Sequence, residues 1–148
     1  ELAKNDERVI IPVGTTSLRT LETLYWLGVK LLVNGEENFK AELLQWENLL
    51  LEKNGVFSTK NVFEALVNYC EKNQLKHFIA RTQIMITPDY KVRTANAILT
   101  NFHQPESSLL LLIGAFVGDE WKTIYDYAMQ NDFRFLSYGD SSLLWLLK

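Results

Sequence analysis

Apolar and polar positions divide the chain into short strand-like runs and amphipathic helices. Val9-Ile10-Ile11-Pro12-Val13 is a β-branched, unbroken apolar run, the pattern of a strand buried on both faces, with Pro12 placing it at a strand end or sheet edge. The turn Gly14-Thr15-Thr16-Ser17 follows. Leu18, Leu21, Leu24 and Tyr25 then recur at helical spacing up to Gly28, which predicts a helix capped by that glycine. Between Lys30 and Phe57 the pattern weakens. Asn34-Gly35 marks a turn, and Leu43, Leu44 and Leu51 in the acidic stretch that follows fit a helix or an extended insertion equally well. Ser58 or Thr59 then caps a helix whose Val62, Phe63, Leu66, Val67 and Cys70 form one apolar stripe ending near Asn73, with Cys70 expected in the core.

Phe78–Thr87 and Tyr90–Leu99 read as two strands about a Pro88-Asp89 turn. Asn101 to Pro105 is a polar loop. Ser107 or Ser108 caps an apolar helix, Leu109–Val117, expected in the core on all sides. Gly118 breaks it, and Asp119 caps a helix with Trp121, Ile124, Tyr125, Ala128 and Met129 on its inner stripe. Phe133–Ser137 reads as a strand, Tyr138-Gly139-Asp140 as a turn and Ser141–Leu147 as an apolar tail, with Trp121 and Trp145 assigned to the core. Strands alternating with helices predict an α/β fold with a mixed, partly parallel sheet flanked by helices.

Composition narrows the class. A chain of 148 residues, 47% hydrophobic and 22% charged, is expected to form a single α/β domain over 1–148, with 31–57 as an insertion. The net charge of −3 excludes a wholesale electrostatic grip on nucleic acid. Lys76, His77, Arg81, Lys91 and Arg93 make the one locally basic stretch, read either as a solvated strand face or as a phosphate-contacting one. Cys70, His77 and His103 offer no metal-ligand spacing, so no metal is expected, and a lone cysteine cannot form an internal disulfide. No apolar run approaches the ~20 residues of a membrane span. The first residues lack the apolar core of a signal peptide, so a cytoplasmic location without membrane association is the expectation. The chain begins without Met, as a piece cut from a longer one would.

Three places can carry chemistry. The Gly14-Thr15-Thr16-Ser17 turn offers unpaired backbone N–H groups at the positive end of a helix dipole, a cradle for a phosphate or carboxylate, though Ser and Thr are also plain N-caps. Arg19 opposes the dipole, which suits a bound anion or a nearby acid. His103, in Asn101-Phe102-His103-Gln104-Pro105, has the side chain best matched to proton transfer at neutral pH. It follows a strand, where α/β folds place ligands; the plainer reading is a surface histidine. Arg134 and Asp140 flank a glycine turn and fit either a structural ion pair or a site wall.

Together the stretches Pro12–Glu22, Leu99–Leu110 and Phe133–Asp140 resemble the C-terminal part of the S-adenosylmethionine:tRNA ribosyltransferase-isomerases of queuosine biosynthesis. The resemblance implies a fragment of a larger two-domain enzyme whose β-barrel domain is absent from this chain. It implies transfer and isomerisation of the ribosyl group of S-adenosylmethionine onto a 7-aminomethyl-7-deazaguanine at the tRNA wobble position. Epoxyqueuosine-tRNA, adenine and methionine are the products. S-adenosylmethionine is then a co-substrate and tRNA a partner, with no prosthetic group and no metal. On this reading Gly14, Thr15, Thr16, Ser17 and Arg19 cradle an anion, His103 accepts a proton with Asn101 beside it, and Arg134 and Asp140 line the site. Two departures from the family pattern stand out. Asp89 occupies a turn position that is usually glycine, and Asn96 stands where the family usually carries an acid. They keep a rival reading open, a catalytically silent paralogous α/β domain serving as a ligand- or RNA-binding or scaffold module.

Overall fold

The computed structural model describes residues 8–104 and 107–147. Contacts group the chain into two units, one built from residues 20–85 and the other from 9–19 with the residues from 86 onward. Both combine helices with small sheets. The element order is α1 (Thr15–Asn34), β1 (Glu42–Leu43), α2 (Glu47–Glu52), α3 (Thr59–Lys72), β2 (Arg81–Thr82), β3 (Ala97–Asn101), α4 (Leu109–Val117), α5 (Trp121–Gln130) and β4 (Ser141–Trp145).

In the first unit α1 runs straight through Gly28, contrary to the expected cap, and ends at Asn34 before Gly35 at φ 71°. Gly28 is a packing residue. A Cβ there would lie 2.5 Å from both Cγ1 and the carbonyl oxygen of Val62, so the missing side chain is what lets α1 approach α3. Ser58 caps α3 as the sequence suggests, its hydroxyl accepting the Asn61 N–H at 3.2 Å. Val62, Phe63 and Leu66 are buried, whereas Val67 is exposed and Cys70 is half-buried, so the stripe is narrower than its spacing implies. Residues 31–57 contain β1 and α2. The Lys30 ammonium, at the edge of burial, donates to the Glu42 carbonyl and pairs with Glu47, each at 2.7 Å. β1 pairs parallel with β2, the only strand formed within Phe78–Thr87. Ile84 and Ile86 are buried against half-exposed Met85 and Thr87, as the alternation predicts.

In the second unit β3 is the axis. β4 pairs with it antiparallel from Ala97↔Trp145 to Asn101↔Ser141, so the expected apolar tail is a strand. On the other side the Val9–Val13 segment runs parallel to β3 through the Val13↔Leu99 bridge. The Leu99 N–H donates to the Pro12 carbonyl at 3.0 Å, and the Gly14 N–H to the Leu99 carbonyl at 2.8 Å. The pairing is therefore mixed and partly parallel, over a smaller sheet than expected. Val9, Ile11 and Val13 are exposed while Pro12 is buried, which makes the segment one-faced and not buried on both sides. Phe133–Ser137 is not a strand: Leu136 stands at φ 68° and the segment folds back on itself. α4 buries Leu112, Ile113, Phe116 and Val117 but exposes Leu111, and Trp145 is 53% exposed, so neither is enclosed on all sides. Ser107 accepts the Leu109 N–H at 3.2 Å at the start of α4, whereas Asp119 falls in a short 3-10 turn ahead of α5 and pairs with Lys122. Among the described residues no helix is long and apolar enough to cross a membrane.

Candidate functional site

The residues of the three candidate places, Gly14 to Arg19, Asn101 and His103, and Arg134 and Asp140, all lie in the second unit, and most are tied to the last residues of β3. Gly14, at φ 84°, leads into α1 and is anchored to Leu99. The Ser17 hydroxyl donates to the Val13 carbonyl at 2.7 Å, closing the entry to the helix. Thr15 is half-buried, and Thr16 and Arg19 are exposed.

One residue beyond the sheet register, Phe102 is buried in an aromatic cluster. Its ring centroid lies 5.4 Å from those of Tyr125 and Phe133 and 5.6 Å from that of Phe135. These pairs fix the chain direction at His103. The His103 N–H donates to the Tyr125 hydroxyl at 3.0 Å, and His103 Nε2 lies 3.2 Å from Oγ1 of buried Thr100. Partial burial disfavours the charged imidazole and pushes the His103 pKa below the ordinary histidine value. Burial likewise raises the Tyr125 phenol, against the opposing effect of the His103 N–H bond. A histidine held in this way is neutral at neutral pH and keeps Nδ1 for exchange when Nε2 is engaged by Thr100.

The Arg134–Asp140 loop closes on the same strand end. Asp140 Oδ2 accepts the Arg134 N–H at 2.8 Å, the Asp140 N–H donates to the Arg134 carbonyl at 2.8 Å, and Arg134 Nε lies 3.6 Å from Asp140 Oδ2. The Arg134 N–H, ahead of its guanidinium, holds the Asp140 carboxyl below the usual carboxylate range. The Asn101 side-chain amide reaches the carbonyls of Gly139 and Asp140 at 3.2 and 3.3 Å and the Ser141 hydroxyl at 3.2 Å. Its geometry is that of a clamp on this loop. Gly139 is required, because a Cβ would collide with the Arg134 carbonyl. The Pro105 end of the polar loop and Glu106 lie outside the described residues. Beyond them a cavity of about 470 Å³ opens between Pro88, Ser107, Ser108, Leu110, Leu111 and Trp121.

The motifs themselves did not single out Thr100 and Tyr125. Thr100 sits three residues before His103 on the strand, and the hydroxyl end of a Tyr within a helical stripe is a polar handle needing a partner. The basic stretch is divided between the units, with Lys76, His77 and Arg81 in one and Lys91 and Arg93 in the other.

Both departures from the family pattern are accommodated. Asp89 is not among the residues at positive φ, and its turn is closed by the Tyr90 N–H donating to the Thr87 carbonyl at 2.8 Å. Asn96 Oδ1 accepts the Ile10 N–H at 2.8 Å, while the Asn96 N–H donates to the Ile10 carbonyl. The carboxamide oxygen thus supplies the acceptor that a carboxylate at this position would offer.

A family model described as queuosine biosynthesis protein matches residues 1–144. The chain belongs to this family. Within the queuosine biosynthesis family, it is 33% identical over 97% of its length to the S-adenosylmethionine:tRNA ribosyltransferase-isomerase of Rickettsia akari, of which it covers 27%. It is 45% identical over 57% of its length to the protein of that name from Stenotrophomonas maltophilia, covering 25% of it. The chain therefore spans about a quarter of the length of the curated relatives it matches. A crystal structure of S-adenosylmethionine tRNA ribosyltransferase from Thermotoga maritima matches with a TM-score of 0.43 and 30% identity, over 55% of this chain and 30% of that one.

Proposed function

We propose that this chain is part of an S-adenosylmethionine:tRNA ribosyltransferase-isomerase acting in queuosine biosynthesis in the cytoplasm. The enzyme moves and rearranges the ribosyl group of S-adenosylmethionine onto the aminomethyl nitrogen of a 7-aminomethyl-7-deazaguanine at the tRNA wobble position. Epoxyqueuosine-tRNA is formed, and adenine and methionine are released. Membership of the queuosine biosynthesis family over nearly the whole chain carries this reading, and the names of the relatives supply the reaction class.

The residues support it chemically. His103 removes a proton from the carbon next to the sulfonium, whose positive charge stabilises the electron pair left behind. In the tautomer this role requires, Nε2–H donates to the Thr100 hydroxyl 3.2 Å away and Nδ1 carries the lone pair. The lowered pKa keeps that lone pair available at neutral pH. The N–H groups at Thr15, Thr16 and Ser17, with Gly14 opening the turn and Arg19 beyond it, receive an anion, the methionine carboxylate or a tRNA phosphate. Arg134 and Asp140 wall the site, and Asn101 positions that wall. No metal or prosthetic group enters the proposed chemistry. A silent scaffold module is not favoured, because the relatives over this stretch carry the name of the ribosyltransferase-isomerase.

The test is adenine release from S-adenosylmethionine in the presence of precursor-containing tRNA, measured with the full-length protein and with His103→Ala and Arg19→Ala. Loss of roughly 100-fold or more in turnover is expected for His103→Ala. A smaller loss, through weaker substrate binding, is expected for Arg19→Ala. Unchanged turnover in both variants overturns the site assignment, and no adenine release by the folded, unaltered protein overturns the reaction.

A further inference from the structure

We propose that Tyr138 is a stacking platform for an unpaired nucleobase of the RNA substrate, held at the rim of the site that ends in His103. The inference rests on the reading that tRNA is the substrate and specifies how this face of the protein recognises it. Tyr138 is 97% exposed, the most exposed large apolar or aromatic side chain among the described residues. Its neighbours Phe133 and Phe135 pack on Phe102, so the segment has aromatic surface available for burial and leaves this ring out.

The backbone beneath the ring is fixed. The Leu136 N–H donates to the Phe102 carbonyl at 2.9 Å, the Gly139 N–H to the Leu136 carbonyl at 2.8 Å and the Asp140 N–H to the Arg134 carbonyl at 2.8 Å. Asn101 clamps the carbonyls of Gly139 and Asp140. Leu136 stands at φ 68°, a conformation that L side chains rarely adopt, and Gly139 leaves no room for a side chain. The loop thus adopts a demanding shape whose result is a projecting phenol ring. Two of the loop's straps, Asn101 and Phe102, precede His103 by two residues and one, which ties the loop that displays the ring to the strand end carrying the histidine.

A nucleobase is the occupant that fits. Every base offers a flat π-face of comparable size to the phenol, and unpaired bases in RNA loops are recognised by stacking on such rings. The Arg134 guanidinium, 75% exposed on the same loop, supplies a second planar, cationic group for a base or a phosphate. Its charge is only partly offset by Asp140 at 3.6 Å.

Binding of a fluorescently labelled anticodon stem–loop RNA and of a blunt RNA duplex tests the proposal, using the full-length protein, Tyr138→Ala and Tyr138→Trp. Because Tyr138 has almost no protein contact, the unfolding temperature of each variant should match that of the unaltered protein, which separates binding from folding. Tyr138→Ala is expected to weaken stem–loop binding roughly tenfold or more, Tyr138→Trp to retain it, and duplex binding to change little. Equal stem–loop affinity in Tyr138→Ala overturns the stacking role, as does an equal loss for the duplex. Failure of the unaltered protein to bind either RNA overturns the tRNA reading itself. Retained RNA affinity with loss of a protein partner on Tyr138→Ala assigns the ring to a protein contact and also overturns the proposal.

Discussion

The two units use similar residue types for different ends. In residues 20–85 the specific contacts serve packing: Gly28 against Val62, Lys30 between the Glu42 carbonyl and Glu47, and the Tyr25 hydroxyl on the Phe57 carbonyl. In the second unit polar groups converge on one strand end, where Thr100, Asn101, His103, Arg134 and Asp140 are bonded to one another or to a shared neighbour. Titration behaviour follows the same division. Cys70 is the displaced group of the first unit, raised by burial, whereas His103, Tyr125 and Asp140 are displaced in the second. The displacements in the second unit cluster at the candidate site, whereas that of Cys70 arises from burial alone. Apolar packing therefore locates the helices of one unit, and aromatic packing around Phe102 aims the polar groups of the other.

The comparison can be broken most directly at Gly28. Gly28→Ala introduces a methyl group 2.5 Å from a side-chain carbon and a carbonyl oxygen of Val62, and about 1–3 kcal/mol of stability should be lost. A urea midpoint checks this, with the ring signals of His103 as the control. A shift of those signals comparable to the stability loss would deny that the two regions have separate tasks. Tyr125→Phe should have a smaller effect on stability, about 1 kcal/mol, by removing the acceptor for the His103 N–H. It should instead move the His103 ring resonances, which NMR reads directly. Unmoved resonances would show that aromatic packing alone holds the histidine.

The smallest effect concerns pH. The folded-state pKa of His103 is depressed relative to the unfolded chain, so the unfolded state binds more protons in the interval between the two values. Stability conferred by this group is present above the unfolded value of about 6.5 and is lost as pH falls through the lower folded value. A proton-coupled NMR titration of His103 should therefore have a midpoint below that of an exposed histidine. A His103→Gln variant should show a shallower loss of stability on the same acid limb. A midpoint at or above the ordinary value would remove the physical basis for a neutral His103 and narrow the difference between the units.

Much of this organisation was legible in local sequence. The Ser58 cap and the inner stripe of α3 follow from spacing alone, because the hydroxyl and the 3.6-residue period act within one or two turns. The Arg134–Asp140 ion pair, one of the two readings its spacing offers, is formed, and Asn101 bonds the same loop. Gly28 was misread for a general reason. A glycine in a helical pattern signals an end when only the helix is considered, and a close crossing when a second helix is present. Phe133–Ser137 failed in the opposite way. Its alternation satisfies strand geometry, but Asp140 and the Phe102 carbonyl offer its backbone a different set of hydrogen bonds, and the loop they close wins.

Residue order by itself determined the buried centres of two helix faces, Val62, Phe63 and Leu66 on α3 and Tyr125 and Ala128 on α5, though Val67 and Met129, placed on the same stripes, are exposed; it also determined the alternation around Ile84 and Ile86 and the family, because each rests on spacing along the chain. The tertiary structure alone decided that the apolar end of the chain is a strand on β3 and that the Asn101 amide clamps a loop. It also decided that Asn96 binds the Ile10 backbone and that Tyr138 stands free of the protein. Those facts depend on hydrogen bonds between residues tens of positions apart. No local period encodes such a bond. Its partner is selected only when packing around Phe102 and Leu99 brings the two segments within reach.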